Sequence, residues 1–324
     1  MTEYEPLNLL ITGGCGFIGS NFINFYKNKY PNISIYNFDK IDYCSNKYNI
    51  NHDKLIIGNL TNAELLLSVI ETYNIDTVVH FAAQTHVDNS FENSLQFTTD
   101  NIIGTHTLLE CCKKYGKIKR FIHISTDEVY GEIDINASGS TENSILNPTN
   151  PYAATKAGAE MIARSYYYSF NLPIIITRGN NVFGPRQYPE KLIPKFITLL
   201  LNNKKCTIQG TGIARRNFIF IDDVTNALDI IIKNGVINNI YNIGTNNEYS
   251  VMDITKKIIN IIKPNDNTDD WIDYIDDRKY NDFRYFVNSN ELTKIGWKEN
   301  ADFESSLLKT IDYYKKWLFI ILIL

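Results

Sequence analysis

The chain has 324 residues, 44% of them hydrophobic and 21% charged, and carries a formal net charge of −4. That make-up belongs to a globular protein with one large domain or two closely joined ones. The negative balance argues against nucleic acid or an anionic membrane surface as the main partner, since both reward basic patches.

In chain order, short apolar runs alternate with helix-like stretches. Strands are expected at Leu7–Thr12, Ile33–Phe38, Leu55–Ile57, Thr77–Phe81, Arg120–Ser125 and Ile174–Thr177. They are rich in Ile, Val and Phe without polar alternation, as strands covered on both faces are. Between them the pattern predicts helices over Phe17–Lys29, Asn62–Tyr73, Phe91–Tyr115 and Pro151–Phe170. Strand and helix taking turns in this way predict an α/β fold on a doubly wound parallel sheet.

Beyond Gly179 the pattern loosens. Pro185, Pro189 and Pro194 punctuate a loop, and helices are expected near Lys195–Asn202, Asp222–Lys233, Val251–Lys263 and Phe303–Trp317. The acidic stretch Asn265–Asp277 reads as a solvated loop. No low-complexity tether separates the halves, so two lobes sharing one core are expected. The apolar end, Trp317–Leu324, is far shorter than the roughly 20 residues that span a bilayer. It reads as a packed terminal segment or interface element, and no membrane partner is expected.

Five Cys with no C-x-x-C spacing, and no secretory signal at the N-terminus, point to free thiols in a reducing cytoplasm. Five His show no metal-ligand spacing, and no metal is expected.

Directly after the first strand comes Gly13-Gly14-Cys15-Gly16-Phe17-Ile18-Gly19, and then a helix. Glycines at these intervals permit a tight turn and let backbone N–H groups approach a pyrophosphate at a helix N-terminus. Asp39, twenty positions beyond Gly19 (39 − 19), closes the second strand. An acid there accepts hydrogen bonds from ribose hydroxyls and repels a 2′-phosphate, which predicts NAD rather than NADP. Lys40 beside it is a cation able to tolerate phosphate. Asn59 and Leu60 are placed to flank adenine. Ala82, Ala83 and Gln84 bring small residues to a strand end that must approach the dinucleotide. These assignments make residues 1–178 an NAD-binding domain and 179–324 mainly a substrate-binding lobe, with some interleaving.

Tyr152 and Lys156 lie at i and i+4 on one helix face. An ammonium beside a phenol lowers the phenol's pKa, and the resulting phenolate takes a proton from a hydroxyl as hydride leaves. The strand Arg120–Ser125 ends just before Thr126, Asp127 and Glu128, at the sheet edge where such folds bind ligands. A dehydrogenase needs only the Tyr and the Lys. An adjacent acid and base suggest a second reaction, removal of water.

These residues resemble the extended short-chain dehydrogenase/reductases, and within them the nucleotide-sugar 4,6-dehydratases. The likeness covers essentially the whole chain, with Thr126-Asp127-Glu128 its specific signal. Asp39–Ser45, Ala82–Phe91 and Thr177–Asn181 are similar to the dehydratase domain of plant UDP-rhamnose synthases, and bacterial dTDP-glucose enzymes usually carry Glu where Gln84 stands.

The resemblance implies a Rossmann sheet with a smaller C-terminal lobe and a homodimer through Phe91–Tyr115 and Pro151–Phe170. It implies NAD, and an NDP-glucose substrate with UDP-glucose ahead of dTDP-glucose. By the same likeness Tyr152 is the base for the 4-hydroxyl, with Thr126 and Lys156 holding the geometry. Glu128 removes the C5 proton and Asp127 protonates the departing C6 hydroxyl. Thr85, Asn181, Glu190, Lys191, Arg216, Asn242, Arg278 and Asn281 carry over as substrate contacts. A sugar-nucleotide 4-epimerase and a non-catalytic NAD-binding sensor or scaffold are the rival readings. The first has no work for Asp127 and Glu128; the second has no need to keep Thr126, Tyr152 and Lys156 together.

Overall fold

The structure, a computed structural model, describes residues 3–50, 54–277, 280 and 282–323. Its frame is a seven-stranded sheet of β1 (Asn8–Thr12), β2 (Ser34–Asp39), β3 (Leu55–Ile57), β4 (Thr77–His80), β5 (Arg120–Thr126), β6 (Ile174–Gly179) and β10 (Ile240–Ile243), in the order β3-β2-β1-β4-β5-β6-β10. Every pairing is parallel. The order reverses between β1 and β4, and that crevice at the C-terminal strand ends is where an open α/β sheet takes its ligand.

Alternate residues of one strand feed two different cores, as a pleat requires. Leu9 and Ile11 face one side, with Phe22, Ile23 and Tyr26 of α1 (Phe17–Lys29). Leu10 faces the other, with Leu66 and Ile70 of α2 (Ala63–Thr72). This double burial explains why these strands are continuously apolar.

The expected helix Phe91–Tyr115 is instead a relay: α3 (Val87–Glu92), α4 (Ser94–Phe97), a π-helical turn Thr98–Ile103, and α5 (Gly104–Tyr115). The wide turn carries Asp100 and Asn101, both drawn into tertiary hydrogen bonds. By contrast α6 (Pro151–Phe170) is unbroken, opened by Pro151 and capped by the Asn150 side chain.

The C-terminal half adds α7 (Leu192–Leu201), α8 (Ile221–Asn234), α9 (Val251–Ile262), α10 (Asn290–Lys294) and α11 (Phe303–Ile323). Phe303, Leu307, Ile311 and Tyr314 recur every third or fourth position on α11 and bury one face of it. Side chains of residues 318–324 lie outside the described residues, so the expectation for the apolar end lies there too. No helix among the described residues is long and apolar enough to cross a membrane.

Two small sheets complete the half: β7 (Asn181–Phe183), β9 (Arg215–Phe220) and β11 (Glu248–Ser250) form one, β8 (Cys206–Gln209) and β12 (Ile272–Ile275) the other. The acidic stretch Asn265–Asp277 is therefore not all loop, because Ile272–Ile275 pairs with β8.

Candidate active site

One groove runs along the strand ends. It is lined by Gly13, Gly16, Phe17, Ile18, Gly19, Asp39, Lys40, Asn59, Leu60, Ala82, Ala83 and Gln84 at one end, and by Thr126, Asp127, Glu128, Tyr152 and Lys156 at the other. Thr85, Asn181, Glu190 and Lys191 line it as well.

The dinucleotide end is built by backbone close approach. Gly13 turns the chain out of β1 with φ +71°, and a Cβ there would stand 2.7 Å from the Ala82 Cα. A Cβ on Gly19 would stand 2.5 Å from the Gly13 carbonyl oxygen. Gly16 caps α1 without a side chain, leaving the first N–H groups and the positive end of the helix directed at the groove. Backbone and small residues thus form a cradle that side chains would fill, and it fits a pyrophosphate.

Asp39 ends β2 at the ribose position. Its carboxylate accepts the Cys15 N–H at 2.9 Å and the Ile41 N–H at 2.8 Å, tying the glycine turn to the next loop. The Ile41 contact also offsets a left-handed backbone (φ +55°) that a β-branched residue rarely adopts. Lys40 is not a free cation: its ammonium lies 2.8 Å from both Asp42 and Asp100. With that charge taken up, the ribose end favours a free hydroxyl over a 2′-phosphate.

Gln84 belongs to the same cluster, its amide donating to Asp42 at 2.6 Å and Asp100 at 2.9 Å. One lysine already serves two carboxylates there, so an amide suits the position and an acid does not. Gln84→Glu is expected to cost about 1–3 kcal/mol through two lost hydrogen bonds and like-charge contact. The introduced carboxylate has its pKa raised by its neighbours in the folded state. The like-charge part of the loss is therefore full at neutral pH and disappears as pH falls below roughly 4, the unfolded value, while the protonated acid, with one O–H, restores only one of the two hydrogen bonds. Denaturation curves of both proteins at pH 7 and pH 4 check this.

At the chemical end, β5 delivers Thr126 and the chain turns at once into a short 3₁₀ helix, Asp127–Tyr130. Thr126 Oγ1 accepts the Glu128 N–H and donates to Asp127 Oδ1, both at 3.3 Å. Burial, then the charge of Glu128, raises Asp127 to about 7 against the opposition of Asn180, Arg216 and Thr126. Burial also raises Glu128, opposed by Asn150, Arg216 and Lys191.

Lys156 donates to the Ile124 carbonyl at 2.6 Å, and burial lowers its ammonium to about 8. Burial and the Glu128 charge hold the Tyr152 phenol up, and a hydrogen bond with Thr126 draws it down.

The loop around Glu190 closes on the cofactor side. Tyr43 donates to the Glu190 carboxylate at 3.0 and 3.2 Å, and Lys191 donates to the Thr85 carbonyl at 2.7 Å. Arg216 stands behind the groove, donating to the Arg215 and Phe283 carbonyls, yet its charge reaches both Asp127 and Glu128. Asn242 is a correction. It is fully buried in β10, its amide accepting from Tyr130 and donating to the Ser140 and Asn288 carbonyls. These bonds make it part of the scaffold and turn it away from substrate. Arg278 and Asn281 lie outside the described residues.

Sequence reasoning passed over three residues that the structure brings to the site: Asp100, Asn150 and Asn180. Asn150 carried a signal, an Asn directly ahead of a proline-opened helix. Asp100 and Asn180 carried none outside tertiary structure.

Fold and site together define a dinucleotide-binding enzyme with a tyrosine–lysine pair and a separate acid–base couple. Residues 10–310 match the family described as GDP-mannose 4,6 dehydratase, and the chain belongs to that family. It is 49% identical to a dTDP-D-glucose 4,6-dehydratase of Dictyostelium discoideum, over 95% of this chain and 81% of that one.

It is also 49% identical to a trifunctional UDP-glucose 4,6-dehydratase/UDP-4-keto-6-deoxy-D-glucose 3,5-epimerase/UDP-4-keto-L-rhamnose-reductase of Arabidopsis thaliana. That match covers 97% of this chain but only 48% of the plant protein, so the chain spans about half the length of that relative. Among solved structures, a dTDP-glucose 4,6-dehydratase from Bacillus anthracis in complex with NAD aligns with a TM-score of 0.88 and 37% identity. The alignment covers 96% of this chain and 97% of that one.

Proposed function

We propose that the protein is an NAD-dependent NDP-glucose 4,6-dehydratase, a hydro-lyase that converts UDP-glucose or dTDP-glucose to the NDP-4-keto-6-deoxyglucose of deoxysugar and rhamnose biosynthesis. The observation that carries this is the buried Asp127 and the half-buried Glu128 in one groove with Tyr152 and Lys156. An epimerase has no use for that couple, and a sensor or scaffold has no use for the catalytic set. Relatives acting on thymidine and on uridine sugars are equally identical to the chain. We keep UDP-glucose first on the strength of the segments Asp39–Ser45 and Ala82–Phe91.

NAD, when bound, would supply the hydride acceptor for C4 and the hydride donor for C6. Gly13, Gly16, Phe17, Ile18 and Gly19 would hold its pyrophosphate, Asp39 its ribose, and Asn59, Leu60, Ala82, Ala83 and Gln84 would flank it. Tyr152 receives the proton of the sugar 4-hydroxyl, oriented by Thr126 and Lys156. The new ketone acidifies the C5 hydrogen, which Glu128 removes. Asp127 gives its proton to the C6 oxygen, which departs as water. The raised pKa of Asp127 supports this division, because an acid near 7 keeps about half its population protonated at neutral pH, where an ordinary Asp is almost fully ionised. Turnover is accordingly expected to fall on the alkaline side of about 7. Thr85, Asn181, Glu190 and Lys191 line the part of the groove open to the sugar diphosphate, with Arg216, Arg278 and Asn281 assigned to it by resemblance.

Residues 1–178 serve mainly the cofactor and 179–324 mainly the substrate. A homodimer is proposed through residues 91–115 and Pro151–Phe170, where Leu95, Ile103 and Met161 stand exposed. The unpaired cysteines support a reducing, cytoplasmic location. Separate incubation with UDP-glucose and dTDP-glucose tests the reading. A product lighter by one water supports it, relative rates settle the base, and a product of unchanged mass overturns it.

A further inference from the structure

Asn180 follows directly on β6 and is buried. Its Oδ1 accepts the Thr245 backbone N–H at 3.0 Å, and its Nδ2 donates to Asp127 Oδ2 at 2.7 Å. A backbone donor on one side fixes which end of the amide is nitrogen, so the donor at Asp127 is unambiguous. Asn150 repeats the arrangement on the second carboxylate. Its Oδ1 accepts the Ala153 N–H at 2.9 Å as the cap of α6, and its Nδ2 donates to Glu128 Oε2 at 3.2 Å.

We propose that Asn180 is a positioning residue for the elimination step: by occupying Oδ2 of Asp127 as a donor, it places the acid's proton on Oδ1, beside Thr126. This deepens the dehydratase reading and rests on it. An oxygen that already accepts an amide N–H at 2.7 Å is the poorer seat for a proton, because protonation there sets two hydrogens against each other. The other oxygen accepts only the longer 3.3 Å bond from the Thr126 hydroxyl, whose hydrogen, unlike the fixed amide N–H, can rotate toward Tyr152 and leave the oxygen to hold the proton.

The proton count fits this placement. Tyr152 gains one proton when the C4 alcohol becomes a ketone, and the C4 hydride passes to NAD. Asp127 loses one when the C6–O bond breaks and water forms. Glu128 takes the C5 proton in that elimination and gives it back when the hydride returns to C6. Over a turnover the site neither gains nor loses a proton, and Thr126 stands between the group left with one too many and the group left with one too few.

The same donor keeps Asp127 a usable acid. Glu128 and burial oppose its charged form, and Asn180, Arg216 and Thr126 favour it. Around Glu128, Asn150, Arg216 and Lys191 favour the charged form and Asp282 opposes it, while Tyr152 feels both carboxylates. Within this set the two asparagines are neutral donors, each fixed on one carboxylate.

The test uses full-length Asn180→Asp and Asn180→Ala, with Asn150→Ala as counterpart, in single turnovers of whichever NDP-glucose the wild type consumes. Asn180→Asp keeps the acceptor for the Thr245 N–H and removes the donor; Asn180→Ala removes both. We expect the first oxidation, followed by absorbance of the reduced nicotinamide, to proceed within about twofold of wild type, while elimination slows by roughly tenfold or more. The alkaline limb of the elimination rate should move up by about one pH unit in the Asn180 variants. In Asn150→Ala the acidic limb should move up instead, since Glu128 loses a donor that favours its base form.

Oxidation and elimination falling in parallel, with both limbs where the wild type has them, would overturn the proposal and leave Asn180 a packing residue. Failure of Asn180→Ala to fold leaves the isosteric Asn180→Asp to decide. A wild type that releases no 4-keto-6-deoxy sugar overturns the reading beneath, and that is seen before any variant is compared.

Discussion

A Glu128→Gln enzyme is expected to oxidise its sugar at C4 and then stop, with turnover lower by about 10²–10⁴-fold. The substitution keeps the shape and the Asn150 contact of the side chain and removes its ability to take a proton. Tyr152, Lys156 and Thr126 are untouched, so the first step runs. Without a base at C5 the ketone has no route to elimination, and the hydride finds no acceptor at C6. Three readouts separate this from simple damage: persistent absorbance of the reduced nicotinamide, no loss of water by mass, and no deuterium entering C5 in heavy water. Asp127→Asn should differ on the last, since Glu128 still exchanges the C5 hydrogen while water fails to leave. Unimpaired turnover of Glu128→Gln would remove Glu128 from the mechanism.

Much of this site was legible before any coordinates, for a physical reason. A strand buried on both faces must be continuously apolar, so the point where Arg120–Ser125 gives way to Thr126-Asp127-Glu128 marks the sheet edge, and the structure ends β5 one residue later, at Thr126. Phe17–Lys29 was equally plain, because the glycine turn sets its start. The misreadings share a cause as well. The helix expected over Phe91–Tyr115 has the right periodicity, but Asp100 and Asn101 leave it to serve Lys40, Gln84 and Thr155. The strands Ile240–Ile243 and Ile272–Ile275 are four residues each and exist by pairing with β6 and β8. Asn242 sits beside the chemistry in sequence motif yet faces the scaffold, and no pattern of residue types reveals which way a buried amide turns.

The largest loss of stability is expected from Glu160→Gln, at about 3–5 kcal/mol, the usual cost of stranding a buried charge. Arg178, at 1% exposure, reaches Glu160, at 0%, through Nε at 3.1 and 3.2 Å and Nη2 at 2.6 Å. Its remaining donors go to Tyr130 at 2.8 Å and the Glu142 carbonyl at 3.3 Å. The pair joins α6, which carries Tyr152 and Lys156, to β6, which Asn180 follows. Replacing one carboxylate oxygen by an amide leaves a buried guanidinium without its hydrogen-bonded counter-charge, with Glu142 acting on it only through space. Arg178→Lys should not rescue the wild-type stability, because a lysine gives no planar fork to a carboxylate. An apolar pair, Arg178→Met with Glu160→Leu, should cost less than the two single changes summed, since it strands no charge. Glu160 is also the charge that opposes the burial of Lys156. Glu160→Gln should therefore lower the Lys156 pKa further from about 8, so that the variant loses the ammonium, and with it activity, at a lower pH than the wild type. Denaturant titration reads the first effect and the pH dependence of C4 oxidation reads the second; a variant as stable as wild type with an unmoved pH limb would show that the ion pair links nothing to the site.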